Sequence, residues 1–342
     1  MKREEAIAHG MEVRETKHSM KRRSTWHDYH RKGTYMLTLV IEGRVPLLGE
    51  LVRDLDTPHI ECSPLGKTIL KDEIGKINRF YPQVEVWKVC IMPDHIHMIV
   101  RVKEDMPPTK HLGMMVAGFK GGCSKAAMRL AMCNQSGRPG YGSSSVATVS
   151  PPSGGAKVVP LFETGYNDKI LLHEGQLDKW KAYLDDNPRR LLMKRLNPQL
   201  FTVLYGMEIA GHTCQVVGNR FLLDIPDKVA VIVHRRYTDE DNTRLRSEWL
   251  ACGERGGVLV SAAISPKEKE VLREAMNRGY RIILLRENGF PKLYKPSGES
   301  FNACSAGLLL QISTWEYHME KRTITRTQCL ELNAMAEWIV ER

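Results

Sequence analysis

Two histidines one residue apart, His95 and His97, are the sharpest chemical feature of the sequence. The stretch His95–Val102 (HIHMIVRV) alternates as a strand does, and a strand projects every second side chain to the same face. Two neighbouring imidazoles form a bidentate seat for a divalent cation, although imidazole accepts many such ions and the spacing does not name one. The same pair also suits two half-buried histidines with ordinary hydrogen bonds. Asp94, one position earlier, is placed either to orient an imidazole or simply to serve a turn after Pro93.

The elements that must hold this pair can be read outward from it. Val84–Ile91 (VEVWKVCI) alternates as a strand, and the break at Met92-Pro93-Asp94 joins it to the histidine strand as a hairpin or meander. Gly33–Val40 (GTYMLTLV) is aromatic and β-branched enough for a buried strand. Residues 65–79 carry Leu65, Ile69, Leu70 and Ile77 near helical spacing, and 109–130 read as a helix weakened by Gly121 and Gly122. Residues 162–172 (FETGYNDKILL) read as a second hairpin. Residues 176–187 (QLDKWKAYLDDN) read as a helix that Pro188 perturbs, because proline disfavours helical geometry in the residue before it. Residues 1–32 are a polar, basic arm. The Gly-, Ser- and Pro-rich piece 134–157 offers little to bury and reads as a flexible insertion within one domain.

After residue 200 the pattern changes. Apolar strands at 228–234, 258–262, 281–286 and 308–312 alternate with helices, one spanning 243–255 and another opened by the capping box Ser265-Pro266-Lys267-Glu268. This alternation predicts a parallel α/β sheet. The expected organisation is therefore two domains, 1–200 and 201–342.

Composition sets the outer limits. The chain has 342 residues, 42% hydrophobic and 26% charged, which suits a soluble globular protein and excludes collagen-like or wholly disordered sequence. No apolar run approaches the roughly 18 residues of a membrane span. The N-terminus lacks the apolar stretch of a secretory signal, and none of the eight cysteines forms a CxxC pair, so reduced thiols in the cytoplasm are expected. The net charge of +10 is uneven: residues 1–200 hold 31 Lys and Arg against 22 Asp and Glu, residues 201–342 hold 19 against 18. The excess in the first part points to an anionic partner there, most simply nucleic acid.

The segment Met92-Pro93-Asp94-His95-Ile96-His97-Met98-Ile99-Val100 resembles the His–hydrophobic–His motif of the single-tyrosine HUH transposases. Three further segments match in order. Arg23-Ser24-Thr25-Trp26-His27-Asp28-Tyr29 with Gly33-Thr34-Tyr35 resembles the opening of the REP-associated tyrosine transposases. Gly165-Tyr166-Asn167-Asp168 with Ile170-Leu171 is similar to the segment before their catalytic helix, and Tyr183-Leu184-Asp185-Asp186-Asn187-Pro188 to their tyrosine-x-x-x-asparagine-proline signature. The likeness covers about residues 20–200. It implies an α+β domain with a ferredoxin-like antiparallel sheet and helices on one face. It also implies a divalent metal, Mg²⁺ or Mn²⁺, on His95, His97 and Asn187, and Tyr183 as the nucleophile that cuts and rejoins single-stranded or hairpin DNA through a 5′-phosphotyrosine. Tyr183 and Asn187 stand four apart on a helix and share a face; Tyr166 is the competing nucleophile. Arg22, Arg23, Lys120, Lys125, Arg189 and Arg190 are candidate phosphate contacts, and Trp26, Tyr29 and Phe119 candidate base-stacking groups. A homodimer and a monomer are both compatible with this reading.

Residues 215–318 resemble more loosely the Rossmann-like domain of Smf-type DNA-processing proteins, which implies a unit that helps hold DNA. Its glycine-rich phosphate turn is replaced here by Ser261-Ala262-Ala263-Ile264-Ser265, so nucleotide binding is not expected. Gly218-Asn219-Arg220 and His234-Arg235-Arg236 are candidate DNA contacts. Two rival readings remain: a domesticated DNA-binding protein without catalysis, and a metal-dependent hydrolase that uses water.

Overall fold

The computed structural model describes residues 24, 27–135, 160–234, 236–320 and 322–341. Arg22, Arg23, Trp26 and Arg235, most of the basic arm, and residues 136–157 of the expected insertion lie outside them. The chain divides into two compact units, residues 1–192 and 193–342. The first is mixed α/β with antiparallel sheets; the second is built on a sheet that contains parallel strands.

The first unit opens with strand β1 (Gly33–Val40) and a small hairpin, β2 (Gly49–Val52) with β3 (His59–Cys62). Helix α1 (Pro64–Thr68), a π turn (Ile69–Glu73) and helix α2 (Ile74–Phe80) follow, then β4 (Val84–Met92), β5 (His95–Val102), helix α3 (Leu112–Gln135), β6 (Asn167–Ile170) and helix α4 (Gln176–Leu196). The main sheet has the order β4-β5-β1-β6, with every neighbour antiparallel. Alternation decides its two faces. Tyr35, Leu37 and Leu39 of β1 and Ile96, Met98 and Val100 of β5 pack against Ile69, Ile77, Met115, Val116, Phe119 and Cys123 from α2, α3 and the π turn. On the opposite face Met36 and Ile99 are covered by Leu184, with Leu177, Trp180 and Tyr183 of α4 alongside.

Helices therefore lie on both faces, not on one. The cause is legible in β1, where both alternating sets of side chains are largely apolar, as a strand buried on two sides requires. Two other expectations are corrected. Residues 162–172 form no hairpin of their own: β6 is a single edge strand on β1, and Phe162 makes only an isolated bridge to Ile41. Helix α4 does not stop at Pro188 but runs through it to Leu196. An interior proline removes one amide donor and crowds the carbonyl four residues back. Leu184 and Leu192, buried on either side of Pro188, supply the packing that carries the helix across.

In the second unit the strands are β7 (Leu204–Ile209), β8 (His212–Gly218), β9 (Lys228–Ala230), β10 (Val258–Ser261), β11 (Arg281–Leu285) and β12 (Leu309–Ser313), in the order β7-β8-β12-β11-β10-β9. Strands β9 to β12 are parallel, whereas β8 joins β12 and β7 joins β8 antiparallel. The sheet is thus mixed rather than wholly parallel. Its unexpected hairpin turns on Ala210 and Gly211, both at positive φ (56° and 73°), the backbone a two-residue hairpin loop needs. Helices α5 (Asp239–Glu254), α6 (Pro266–Asn277) and α7 (Gly298–Ser305) cover one face, and α8 (Arg326–Glu341) the other. Among the described residues no helix is long and apolar enough to cross a membrane.

The capping box at α6 forms as the sequence suggests, Ser265 Oγ accepting from Glu268 N at 3.1 Å. Glu268 does more than cap. Its buried carboxylate accepts from Ser265 N (3.1 Å), Ile264 N (2.6 Å) and Val233 N (2.9 Å), tying the ends of two parallel strands together. Glu268→Ala strands three backbone donors, each costing about 1–3 kcal/mol when buried and unpaired. Chemical denaturation should show a loss of at least about 2 kcal/mol, with Glu268→Gln losing less because its amide oxygen still accepts.

Candidate functional site

The site begins with the β4–β5 hairpin. Met92 pairs with His95 across the two-residue turn Pro93-Asp94, and Cys90 pairs with His97. On β5 the set His95, His97, Ile99 faces α4, while Ile96, Met98 and Val100 enter the main core. The two imidazoles converge, with His95 Nε2 and His97 Nε2 3.1 Å apart. Each outer nitrogen is tied down: His95 Nδ1 lies 2.6 Å from Asp94 Oδ1, and His97 Nδ1 lies 2.8 Å from Thr38 Oγ1. The Thr38 hydroxyl donates toward Met36 Sδ at 3.7 Å, which leaves its oxygen to accept from His97 Nδ1–H. The Asp94 carboxylate can only accept. Both rings then present Nε2 lone pairs to the same point, the arrangement in which an outer partner fixes the tautomer and orientation of a ligating histidine.

Asp94 is stabilised as the anion. Burial alone would raise its carboxyl, but the hydrogen bond from His95 and the Arg44 guanidinium, with Nη1 at 3.1 Å, hold it down at about 2.

Helix α4 brings Tyr183 over the same face. Its ring centroid lies 6.1 Å from that of His97 and 5.3 Å from that of Trp180. Burial raises the Tyr183 phenol above its usual value; the Arg190 guanidinium, 5.3 Å from the ring centroid, opposes that shift. Asn187, one turn on, is buried, and its Nδ2 makes no well-formed hydrogen bond. It lies close enough to the Cys90 thiol, the cross-strand neighbour of His97, to act on it. Burial pushes that thiol to about 11, the Asp185 charge adding to the effect and Asn187 opposing it. Among the described residues no group of three or more His, Cys, Asp or Glu side chains is gathered for a metal. The buried Asn187 carries an amide oxygen, a donor type outside those four, one helical turn from Tyr183.

The basic and aromatic candidates fare differently from one another. Arg190 is buried beside Tyr183. Arg189 is engaged by Asp186 through both carboxylate oxygens, at 2.5 and 2.9 Å. Lys120 is spent inside the fold: its ammonium clamps the carbonyls of Glu163 (2.6 Å) and Gly165, fixing the turn that leads to Tyr166 and β6. Lys125 is exposed on α3. Phe119 is a core residue rather than a stacking surface, and Tyr29 donates to Asp168 Oδ2 at 2.8 Å while packing against the core. Periodicity could have found Phe119, which shares the apolar face of α3 with Met115, Val116 and Cys123. In the second unit Asn219 acts locally, accepting from Phe221 N at 3.1 Å and donating to Gly307 O at 2.7 Å. The anion seat at the start of α6 is filled by Glu268.

No protein-family profile and no curated protein matches the sequence. Among solved structures the chain is similar to a REP-associated tyrosine transposase bound to a REP hairpin, at 14% identity over 49% of this chain and 74% of that one, with a TM-score of 0.30. It is similar to DNA processing protein A from Helicobacter pylori, described for its single-stranded DNA binding mode, at 19% identity over 41% and 66%, TM-score 0.30. A putative transposase from Deinococcus radiodurans gives 15% identity over 48% and 95%, TM-score 0.25.

Leu184 is the anchor of the tyrosine helix, 1% exposed between Met36 and Ile99. Leu184→Ala should cost about 2–5 kcal/mol of stability, as leucine truncations in cores do. Urea unfolding checks this, and the same variant should show increased hydrogen exchange in α4 rather than in α3.

Proposed function

We propose that the chain is a transposase-like single-stranded DNA endonuclease and strand-transferase, with Tyr183 as nucleophile. We read its first unit as a ferredoxin-like HUH domain and its second as a Rossmann-like unit that holds DNA. The observation that carries the reading is the convergence of His95 and His97 Nε2 beneath the helix bearing Tyr183. The ordered sequence resemblance over residues 20–200 supports it, because it selects the same tyrosine and the same pair. Single-stranded or hairpin DNA is the expected substrate.

His95, His97 and Asn187 would hold a divalent ion, Mg²⁺ or Mn²⁺. Bound there, it would polarise the scissile phosphate and offset the charge that develops on it. The residues supply the rest. The Tyr183 oxygen forms a bond to phosphorus as the bond from phosphorus to the 3′ oxygen breaks. The phenolic proton is lost to solvent, and the leaving 3′ oxygen takes up a proton to become a hydroxyl. The product is a 5′-phosphotyrosine and a free 3′ end, and reversal with another 3′ hydroxyl rejoins the strand. Burial raises the Tyr183 phenol above its usual value and so opposes loss of its proton, while Arg190 favours the phenolate when it forms. Asp94 and Thr38 hold the two rings so that no reorganisation is needed when a cation arrives.

Incubated with Mn²⁺ and a single strand labelled 3′ of the cut, the protein should yield an adduct that survives denaturation and maps to the peptide containing Trp180 to Asn187. Tyr183→Phe should stay folded, bind DNA and form none. An adduct on Tyr166 would keep the class and move the nucleophile. Cleavage without any adduct would favour a water-using hydrolase, and binding without cleavage a domesticated DNA-binding protein.

The metal site has its own readout. Mn²⁺ should raise the thermal midpoint of the wild type and leave His95→Ala/His97→Ala unmoved. Asp94→Asn should weaken Mn²⁺ binding about 10- to 100-fold, the usual effect of losing a histidine's outer partner. Equal thermal shifts in wild type and double variant would remove the metal from this site.

A further inference from the structure

Trp87 is an exposed aromatic residue of the first unit that lies outside both of its packed clusters. The β4–β5 register runs Val86 to Val100 and then Lys88 to Ile99, so Trp87 is the extra residue of a β-bulge. Bulges re-aim a side chain and are often found beside functional sites. The indole is 42% exposed and belongs neither to the main core nor to the cluster under α4. It is nonetheless held: Nε1 donates to Glu85 Oε2 at 3.2 Å, and the Glu85 charge is matched by Lys103 at 3.0 Å.

Two cations flank the ring. Arg101 Cζ lies 6.0 Å and Lys181 Nζ 5.9 Å from its centroid, at the outer limit of a cation–π contact, so neither seals the ring. Both belong to the elements that build the candidate site. Arg101 continues the alternate series His95, His97, Ile99 along β5, and Lys181 precedes Tyr183 by two residues on α4. Along the strand His97 and Arg101 are about 13 Å apart, four residues at strand rise, a distance a few nucleotides can cover.

We propose that Trp87, between Arg101 and Lys181, stacks an unpaired base of single-stranded DNA while the two cations take the flanking phosphates. An exposed indole with cations at its rim is the combination that binds single strands without reading sequence. The proposal deepens the function proposed above and rests on a DNA strand being held at the Tyr183 face. It also fixes the path of that strand, from the histidine end of β5 toward the bulge.

The test measures binding of a short single-stranded DNA oligonucleotide in the Tyr183→Phe background, where no cleavage intervenes. Trp87→Ala should weaken binding about 5- to 100-fold, the range for loss of one base–aromatic stack, and Trp87→Phe should retain most of it. An abasic site walked along the oligonucleotide should find one position that costs the Trp87 protein a similar factor and costs Trp87→Ala nothing more. A fully paired duplex should be insensitive to the substitution. Unchanged affinity in Trp87→Ala, or an abasic loss that simply adds to the substitution, would overturn the proposal. Loss of binding with no such abasic position would overturn it as well, since a merely structural role gives that result. If wild-type protein forms no tyrosine adduct yet its binding depends on Trp87 in this position-specific way, the nuclease reading fails and the stacking site stands. If the Tyr183→Phe protein binds no single strand at all, both fall.

Discussion

Two imidazole nitrogens 3.1 Å apart repel unless a proton or a cation lies between them, and the hairpin and its neighbours hold His95 and His97 at that distance. The hairpin turn at Pro93-Asp94 sets the register that places His95 and His97 on one face. Asp94 and Thr38 take the outer nitrogens, so neither ring can relieve the approach by rotating without breaking a hydrogen bond. Thr38 reaches His97 because β1 and β5 are antiparallel with these two residues directly opposite. The surrounding face is apolar, built of Met36, Ile99 and Leu184, and a low-dielectric setting makes an uncompensated pair more costly. The pair is thus poised for a cation or a shared proton, and the fold meets the cost with packing elsewhere.

The same economy of backbone groups appears in the second unit with the opposite outcome. The ends of parallel strands and the start of the following helix are where an anion would normally be gripped. Here Glu268 delivers its own carboxylate to Val233, Ile264 and Ser265. Those three amide donors are thereby taken up inside the fold.

How much of this was legible depended on whether a residue's fate is decided locally. β1, β4, β5 and the shared face of His95 and His97 were legible because the strand period of two acts residue by residue. The capping box at Ser265 was legible for the same reason, being closed within four residues. The continuation of α4 past Pro188 was not, because it is decided by Leu184 and Leu192 packing at a distance in sequence. Nor was the β7–β8 hairpin, whose Ala210-Gly211 turn lacks the Asn-Gly or Asp-Gly signal such loops usually carry. Lys120 looked like a phosphate contact until the turn at Gly165 came within reach of it. Trp87 was invisible as a surface residue, because its outward aim comes from a register slip of one residue that no single-strand pattern encodes.

Charge shows why a count of basic residues overstates the contacts they make. The first 200 residues carry 31 Lys and Arg against 22 Asp and Glu, yet many of these cations near the site are already paired. Arg44 is on Asp94, Lys88 on Asp185 and Arg189 on Asp186. Pairing leaves the net charge unchanged, so the long-range attraction for a polyanion survives, screened over about 8–10 Å at ordinary salt. What pairing removes is the supply of loose ammonium and guanidinium groups for close contact. Other cations near the sheet face lie against rings: Arg190 over Tyr183, and Lys181 and Arg101 around Trp87, with Arg101 also donating to Thr34 Oγ1 at 2.9 Å. Composition therefore speaks for the long-range field of this unit, whereas close contact with the strand proposed above would fall to a handful of side chains that share a face with the two histidines.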